Sequence, residues 1–212
     1  VTTFDPAGDL TMGTVYYWKI VPYNANGSAV GCSVWQFTSV APSGPVQISY
    51  SDFETGLGIW TDGGTDCARY YGSYSHGGLY SMDIQDNSGT SSSFYHTSGV
   101  DIATPGYVQL DVRFEFKAIS MENNEDFWVQ YYNGSVWSTV ATYKRGTNFN
   151  NSVFYQANVS ILESSYIFPT NMKIRFMCDA SDDNDDVYID NVMITGSFAY
   201  SPNNYIIAVT GP

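Results

Sequence analysis

Val108-Gln109-Leu110-Asp111-Val112-Arg113-Phe114-Glu115-Phe116-Lys117-Ala118 is the stretch that decides how this chain reads. Apolar residues hold every second position and polar or charged ones the positions between, so an extended backbone would present one apolar and one wet face. A helix would repeat its apolar residues every three or four positions instead. Working outward, the segments 48–54, 78–84, 92–97, 126–132, 136–143, 153–160, 171–177 and 186–194 also read as strands. Asn133-Gly134-Ser135 between two of them is a hairpin signal. About nine strands with no helix between them predict an all-β, two-sheet antiparallel sandwich of jelly-roll type.

Composition agrees with that reading and narrows the function. Of 212 residues, 17% are aromatic, with 18 Tyr and 19 Gly, which suits strands and turns better than helices. Lys and Arg number 8 against 21 Asp and Glu, giving a formal charge of −13. A phosphate backbone would be repelled, so nucleic acid is excluded as a partner. No apolar run approaches the roughly 20 residues that span a bilayer, and no signal-peptide pattern opens the chain. Val1 begins in mid-pattern, so the gene product is expected to start elsewhere.

Two unequal parts are expected. In residues 1–40, the strand pattern over 13–24, a turn at Asn26-Gly27-Ser28 and the segment Val34-Trp35-Gln36-Phe37-Thr38 make a hairpin. Ala41-Pro42-Ser43-Gly44-Pro45 lies in a linker over 41–46. The sandwich follows over 47–196, and 197–212 is a tail in which 205–209 reads as one more strand.

Carboxylates stand at both ends of the sandwich. Read as strand, Asp52 and Glu54 share a face, while Asp190 lies between strand formers and away from water. With few basic residues to pair them, a calcium ion held by oxygen ligands is the natural partner; the alternative is capping by backbone N–H groups. The acidic run Asp179, Asp182, Asp183, Asp185, Asp186 lacks the spacing of an EF-hand and reads as a solvated loop. Cys67 and Cys178 could form a disulfide closing a loop of roughly 110 residues, or remain buried free thiols. Cys32 would then have no partner.

Several stretches carry a family resemblance. The Tyr16-Tyr17-Trp18 strand, the turn after Asn24 and Trp35-Gln36-Phe37-Thr38 resemble the last strands of a fibronectin type III domain. Asp52-Phe53-Glu54, Trp60, Gly63-Gly64-x-Asp66-Cys67-x-Arg69, Asn124-Glu125-Asp126-Phe127-Trp128, Arg175-Phe176-x-Cys178 and Val187-Tyr188-Ile189-Asp190-Asn191-Val192 are similar to MAM-like and carbohydrate-binding-module-like jelly rolls. Such domains occur in large secreted proteins of Bacteroidetes, behind peptidase or glycoside hydrolase domains. The resemblance implies a structural calcium near Asp52, Glu54 and Asp190, with backbone carbonyls around Ser75 to Gly78 as further ligands.

For a sugar ligand the expected groups are aromatic rings beside hydrogen-bonding side chains, and Trp60, Tyr70, Tyr71, Tyr74, Trp128, Tyr132 and Trp137 are the candidates. Alternation demands that some of these line the core; the Tyr70 to His76 segment reads as an exposed loop. Catalysis has little support. His76 and His96 lack a nucleophile context, and Glu122, Glu125 and Asp126 are close enough in sequence to be a wet turn. The expected function is a non-catalytic, secreted or cell-surface module that binds carbohydrate and contacts neighbouring domains of its own polypeptide. The alternative is a structural or adhesive spacer making protein contacts.

Overall fold

The computed structural model describes residues 13–39 and 44–199. The expected strand at 205–209 lies outside the described residues. The chain falls into two compact units, one reaching Gly44 and the other Pro45–Ala199.

In the first unit, β1 (Val15–Trp18) pairs antiparallel with β4 (Trp35–Thr38), placing Tyr16 opposite Phe37 and Trp18 opposite Trp35. Both ring pairs stack, at centroid distances of 5.6 and 4.8 Å. The single strand expected over 13–24 is instead broken. Pro22 has no N–H to donate to a ladder, and β2 (Tyr23–Asn24) pairs separately with β3 (Gly27–Ser28) across the Asn-Gly turn.

The second unit is the jelly-roll sandwich. Its six-stranded sheet runs β13 (Phe154–Leu162), β10 (Tyr107–Ile119), β15 (Asp186–Phe198), β8 (Tyr80–Gln85), β7 (Cys67–Tyr71), with β5 (Val46–Ser51) paired to the far half of β15. Its five-stranded sheet runs β12 (Trp137–Lys144), β11 (Asp126–Tyr132), β14 (Lys173–Asp179), β9 (Ser93–His96), β6 (Trp60–Asp62). Leu110, Val112, Phe114, Phe116 and Ala118 of β10 all face inward and are buried, as the alternation predicts. They meet the inward row of the other sheet through rings: Phe114 packs edge-on to Phe176 at 4.9 Å and Phe116 to Phe127 at 4.9 Å, while within that row Phe94 stacks on Phe176 at 4.9 Å.

The sequence reading missed β6 and β7. Both are short edge strands among glycines, too brief to show alternation. Their existence overturns two expectations. Trp60 is 3% exposed, its rings against Phe94 and His96 and its indole N–H donating to Ser51 Oγ at 2.9 Å, so it is core and not ligand platform. Tyr70 and Tyr71 belong to a strand and not a loop. The disulfide is also overturned: Cys67 and Cys178 are free, buried thiols on inward positions of opposite sheets. Burial pushes the Cys67 thiol up to about 12 and raises that of Cys178 too, so both stay protonated and act as small apolar core residues.

Candidate functional site

The outward positions of the five-stranded sheet form one continuous surface. Strand alternation buries Phe127, Val129 and Tyr131 and turns Trp128, Gln130 and Tyr132 outward; on β14 it buries Ile174, Phe176 and Cys178 and turns Lys173, Arg175 and Met177 outward. Register then lines these up. Gln130 stands opposite both Thr139 and Arg175, Arg175 opposite Tyr95, and Tyr95 opposite Thr61, a polar row across all five strands. Beside it Tyr132 pairs with Trp137 and Lys173.

The side chains connect along that row. Arg175 Nε donates to Gln130 Oε1 at 2.7 Å, and Gln130 Nε2 donates to Thr139 Oγ1 at 3.2 Å. The Arg175 guanidinium lies 4.3 Å from the Trp137 ring centroid, and the Trp137 and Tyr132 rings are 5.2 Å apart. Neither ion pair among the described residues uses Arg175; these are Arg113 with Glu115 and Lys144 with Asp126. Partial burial lowers its pKa, yet a guanidinium remains charged at any physiological pH. Trp128, Tyr132 and Trp137 are half-buried, each ring held by packing with a part open. Rigid aromatic surface next to fixed N–H donors matches the two-sided chemistry of a sugar ring, apolar on its C–H face and polar at its rim. Of the predicted aromatics, Tyr132 and Trp137 are brought together here, and Trp128 shares their face further along β11, opposite Thr142 and Met177. Gln130, Arg175, Tyr95 and Thr139 were missed as site residues, although β11 alternation already turned Gln130 to the same side as Trp128.

The other predicted tyrosines sit on the opposite face of the molecule. Tyr188 projects from the outer side of the six-stranded sheet, and the segment from Gly72 to Gly78 folds over it. Tyr74 packs on Tyr188 at 4.8 Å and on Tyr70 at 5.6 Å, with Lys117 Nζ 4.9 Å from the Tyr74 ring centroid. Tyr70 and Tyr74 stack with each other and with Tyr188 on this side, both half-buried; Tyr71 is 63% exposed and lies apart from the Trp137 group, on β7. Beneath the cover, Asp83 stands across from Tyr188, and burial with the Asp186 charge raises its carboxyl to about 8.

The predicted metal residues meet the same cover. Strand alternation does not govern Asp52 and Glu54: β5 ends at Ser51, and Phe53 takes a left-handed φ of 58° that turns its ring into the core. Arg69 holds this turn by donating to the Phe53 and Glu54 carbonyls at 2.7 and 2.8 Å. Glu54 Oε1 accepts from Leu79 N and Tyr80 N, both at 2.9 Å, and Gly78 permits the approach because a Cβ there would meet that oxygen at 2.3 Å. Asp190, 2% exposed, accepts from His76 N at 2.8 Å and from Asn191 N at 2.7 Å at a β-bulge opposite β10. The backbone at 76–80 therefore faces these acids with N–H groups, where carbonyls were expected. Desolvation lifts the Asp190 carboxyl to about 7, Glu54 and Asp52 adding repulsion. Three acids crowd here with no basic side chain in ion-pair contact among the described residues, a charge balance that fits a divalent cation. Their oxygens are not among the carboxylate groups that close to within 4.8 Å of one another.

The two histidines are apart. His76 lies in the cover with its ring against Phe154, whereas His96 is core, held down to about 4 by burial and by Lys173.

No protein-family model matches the chain, and no curated protein matches it in sequence. Solved structures match its fold. The C-terminal family 22 carbohydrate-binding module of Clostridium thermocellum Xyn10B superposes with a TM-score of 0.53 at 13% identity, over 76% of this chain and 100% of its own. The CBM22-1 xylan-binding domain of Paenibacillus barcinonensis Xyn10C gives 0.52 at 13% identity, with coverages of 76% and 100%. A CBM22-1–GH10 segment of the Clostridium thermocellum xylanase, solved with xylohexaose, gives 0.51 at 18% identity over 71% of this chain. The chain spans only 28% of that two-module protein. The second unit thus has the β-sandwich fold of carbohydrate-binding modules.

Proposed function

We propose that the Pro45–Ala199 unit binds carbohydrate on the outer face of its five-stranded sheet. The observation that carries this is the Trp137–Tyr132–Arg175–Gln130 group: two rings and a guanidinium without a carboxylate partner, fixed side by side on rigid strands. The shared fold with xylan-binding domains makes β-1,4-linked plant polysaccharide the first class to test. Trp137 and Tyr132 would stack on pyranose faces, with Arg175 donating to hydroxyls or a uronate carboxylate. The unit would act without catalysis, as part of a secreted or surface-attached protein whose hydrolase is elsewhere. The hairpin of the first unit would be the end of a fibronectin type III-like module.

Calcium belongs to this reading as a stabiliser at the Asp52, Glu54 and Asp190 corner. Its support is the gathering of carboxylates around the buried Asp190, whose two oxygens each accept a single N–H and keep a further lone pair. Affinity electrophoresis against xylan, glucuronoxylan and mixed-linkage glucan tests the binding, with Trp137→Ala as control. Retardation by one of these that Trp137→Ala abolishes supports the reading. No retardation by any glycan on a broad array would transfer support to a spacer role.

A further inference from the structure

Glu122 and Glu125 lie in the loop from β10 to β11, and Asp185 in the loop from β14 to β15. Register brings these loops together: Ile119 at the end of β10 pairs with Asp186 at the start of β15, and Asp126 at the start of β11 pairs with Asp179 at the end of β14. Both loops therefore cross between the sheets at the same end of the sandwich. One carboxylate oxygen from each of Glu122, Glu125 and Asp185 lies within 4.8 Å of the other two. Asp185 is 3% exposed, and its Oδ2 has no hydrogen-bond partner.

Such an arrangement is costly as it stands. A desolvated carboxylate beside two others must take up a proton or a cation. Burial, followed by the charges of Glu125 and Asp182, raises the Asp185 pKa, in keeping with that demand. None of the three carboxylates joins an ion pair among the described residues. Arg145 runs alongside, but its Nη1 donates to Asn123 Oδ1 and only its backbone N–H reaches the Glu125 carbonyl, at 2.9 Å. A second acidic group, Asp66, Asp86 and Asp183, lies equally close together without the same need, since none of its members is buried and Asp66 accepts from Ser88 Oγ.

We propose that Glu122, Glu125 and Asp185 form a site for a hard divalent cation of the calcium class, clamping the β10–β11 loop to the β14–β15 loop. Three carboxylates supply the charge, and backbone carbonyls and water would complete a coordination shell of about six to eight oxygens. This site is separate in sequence and in strand ends from the Asp52, Glu54 and Asp190 corner, so the two can be resolved by mutation.

Isothermal titration of the metal-stripped full chain with CaCl₂, with circular dichroism to verify folding, provides the test. Glu122 is exposed, so Glu122→Gln keeps the fold and is expected to weaken one class of sites at least tenfold. Asp185→Asn, which keeps the shape of the side chain, is expected to abolish that class, and Asp190→Asn to leave it in place. Wild-type affinity and stoichiometry in both Glu122→Gln and Asp185→Asn would overturn the proposal, as would the absence of any calcium binding by the wild-type chain. Loss of all binding in Asp190→Asn alone would assign calcium to the other corner and overturn it equally.

Discussion

On the six-stranded sheet, the outward row Asp83, Tyr188, Lys117 and Phe154 lies beneath the glycine-bordered segment carrying Tyr74 and His76. On the five-stranded sheet, the outward row Thr139, Gln130, Arg175, Tyr95 and Thr61 keeps its flanking rings half-exposed. Both rows come from the same alternation of inward and outward residues, and both include aromatic and charged groups. They differ in what their polar atoms do. Under the cover, acids are desolvated and their protonation shifts; on the open face, the half-buried Arg175 stays charged, positioned by the buried Gln130, where a ligand can use it. Aromatic richness alone therefore does not mark a binding face. Access does.

The most damaging change is to the layer the two faces share. Phe176 touches Phe94, Phe114 and Trp60, so Phe176→Ala should cost about 3 to 5 kcal/mol in denaturant unfolding and loosen both faces together. A loss under about 1 kcal/mol would mean that the sheets do not pack through this ring. Next come two substitutions with opposite readouts. Tyr74→Ala should lower stability by about 1 to 3 kcal/mol and leave glycan binding unchanged, while Trp137→Ala should weaken binding tenfold or more with little change in melting temperature. If Tyr74→Ala abolished binding and Trp137→Ala did not, the assignment of the two faces would be reversed.

A smaller effect separates them by pH. Asp83, raised to about 8 in the fold against an ordinary carboxylate, holds its proton more tightly when folded. Its contribution to stability is complete below about pH 4 and is lost as pH rises through about 8. His96, lowered to about 4, works the other way: its contribution is present above pH 6.5 and lost as pH falls through about 4. Above pH 6.5 the Asp83 slope remains, joined by that of Asp190 up to about 7, so wild-type melting temperature should fall between pH 6.5 and 8 and Asp83→Asn should flatten the part above 7. An unchanged slope in Asp83→Asn would place the titration elsewhere. The smallest effect is expected of Tyr71→Ala, within about 0.5 kcal/mol and without change in binding, because this ring is mostly in solvent on the edge strand.

Much of the sandwich was legible beforehand where strands were long. β10, β11, β13 and β14 announce themselves by period-two alternation, and their inward residues follow from it. Edge strands were not legible: three residues of β6 cannot display a period, so Trp60 looked like a free aromatic beside glycines. The Asp52 to Glu54 motif misled for a related reason, since a left-handed Phe53 removes the alternation that would have put both acids on one face. Asp185 was read as part of a solvated loop because its partners Glu122 and Glu125 belong to another loop distant in sequence.

The sequence by itself determined that this protein is β-rich and acidic, and which residues of each long strand share a side; these are local consequences of backbone geometry and of summed charge. The tertiary structure alone decided which outward row is covered and which is open, that Cys67 and Cys178 remain free core thiols, and that two loops crossing between the sheets meet around Asp185. The reason is physical. A period of two fixes direction relative to the sheet and says nothing of what lies opposite, whereas solvent access and the meeting of distant carboxylates depend on antiparallel register between strands far apart in the chain.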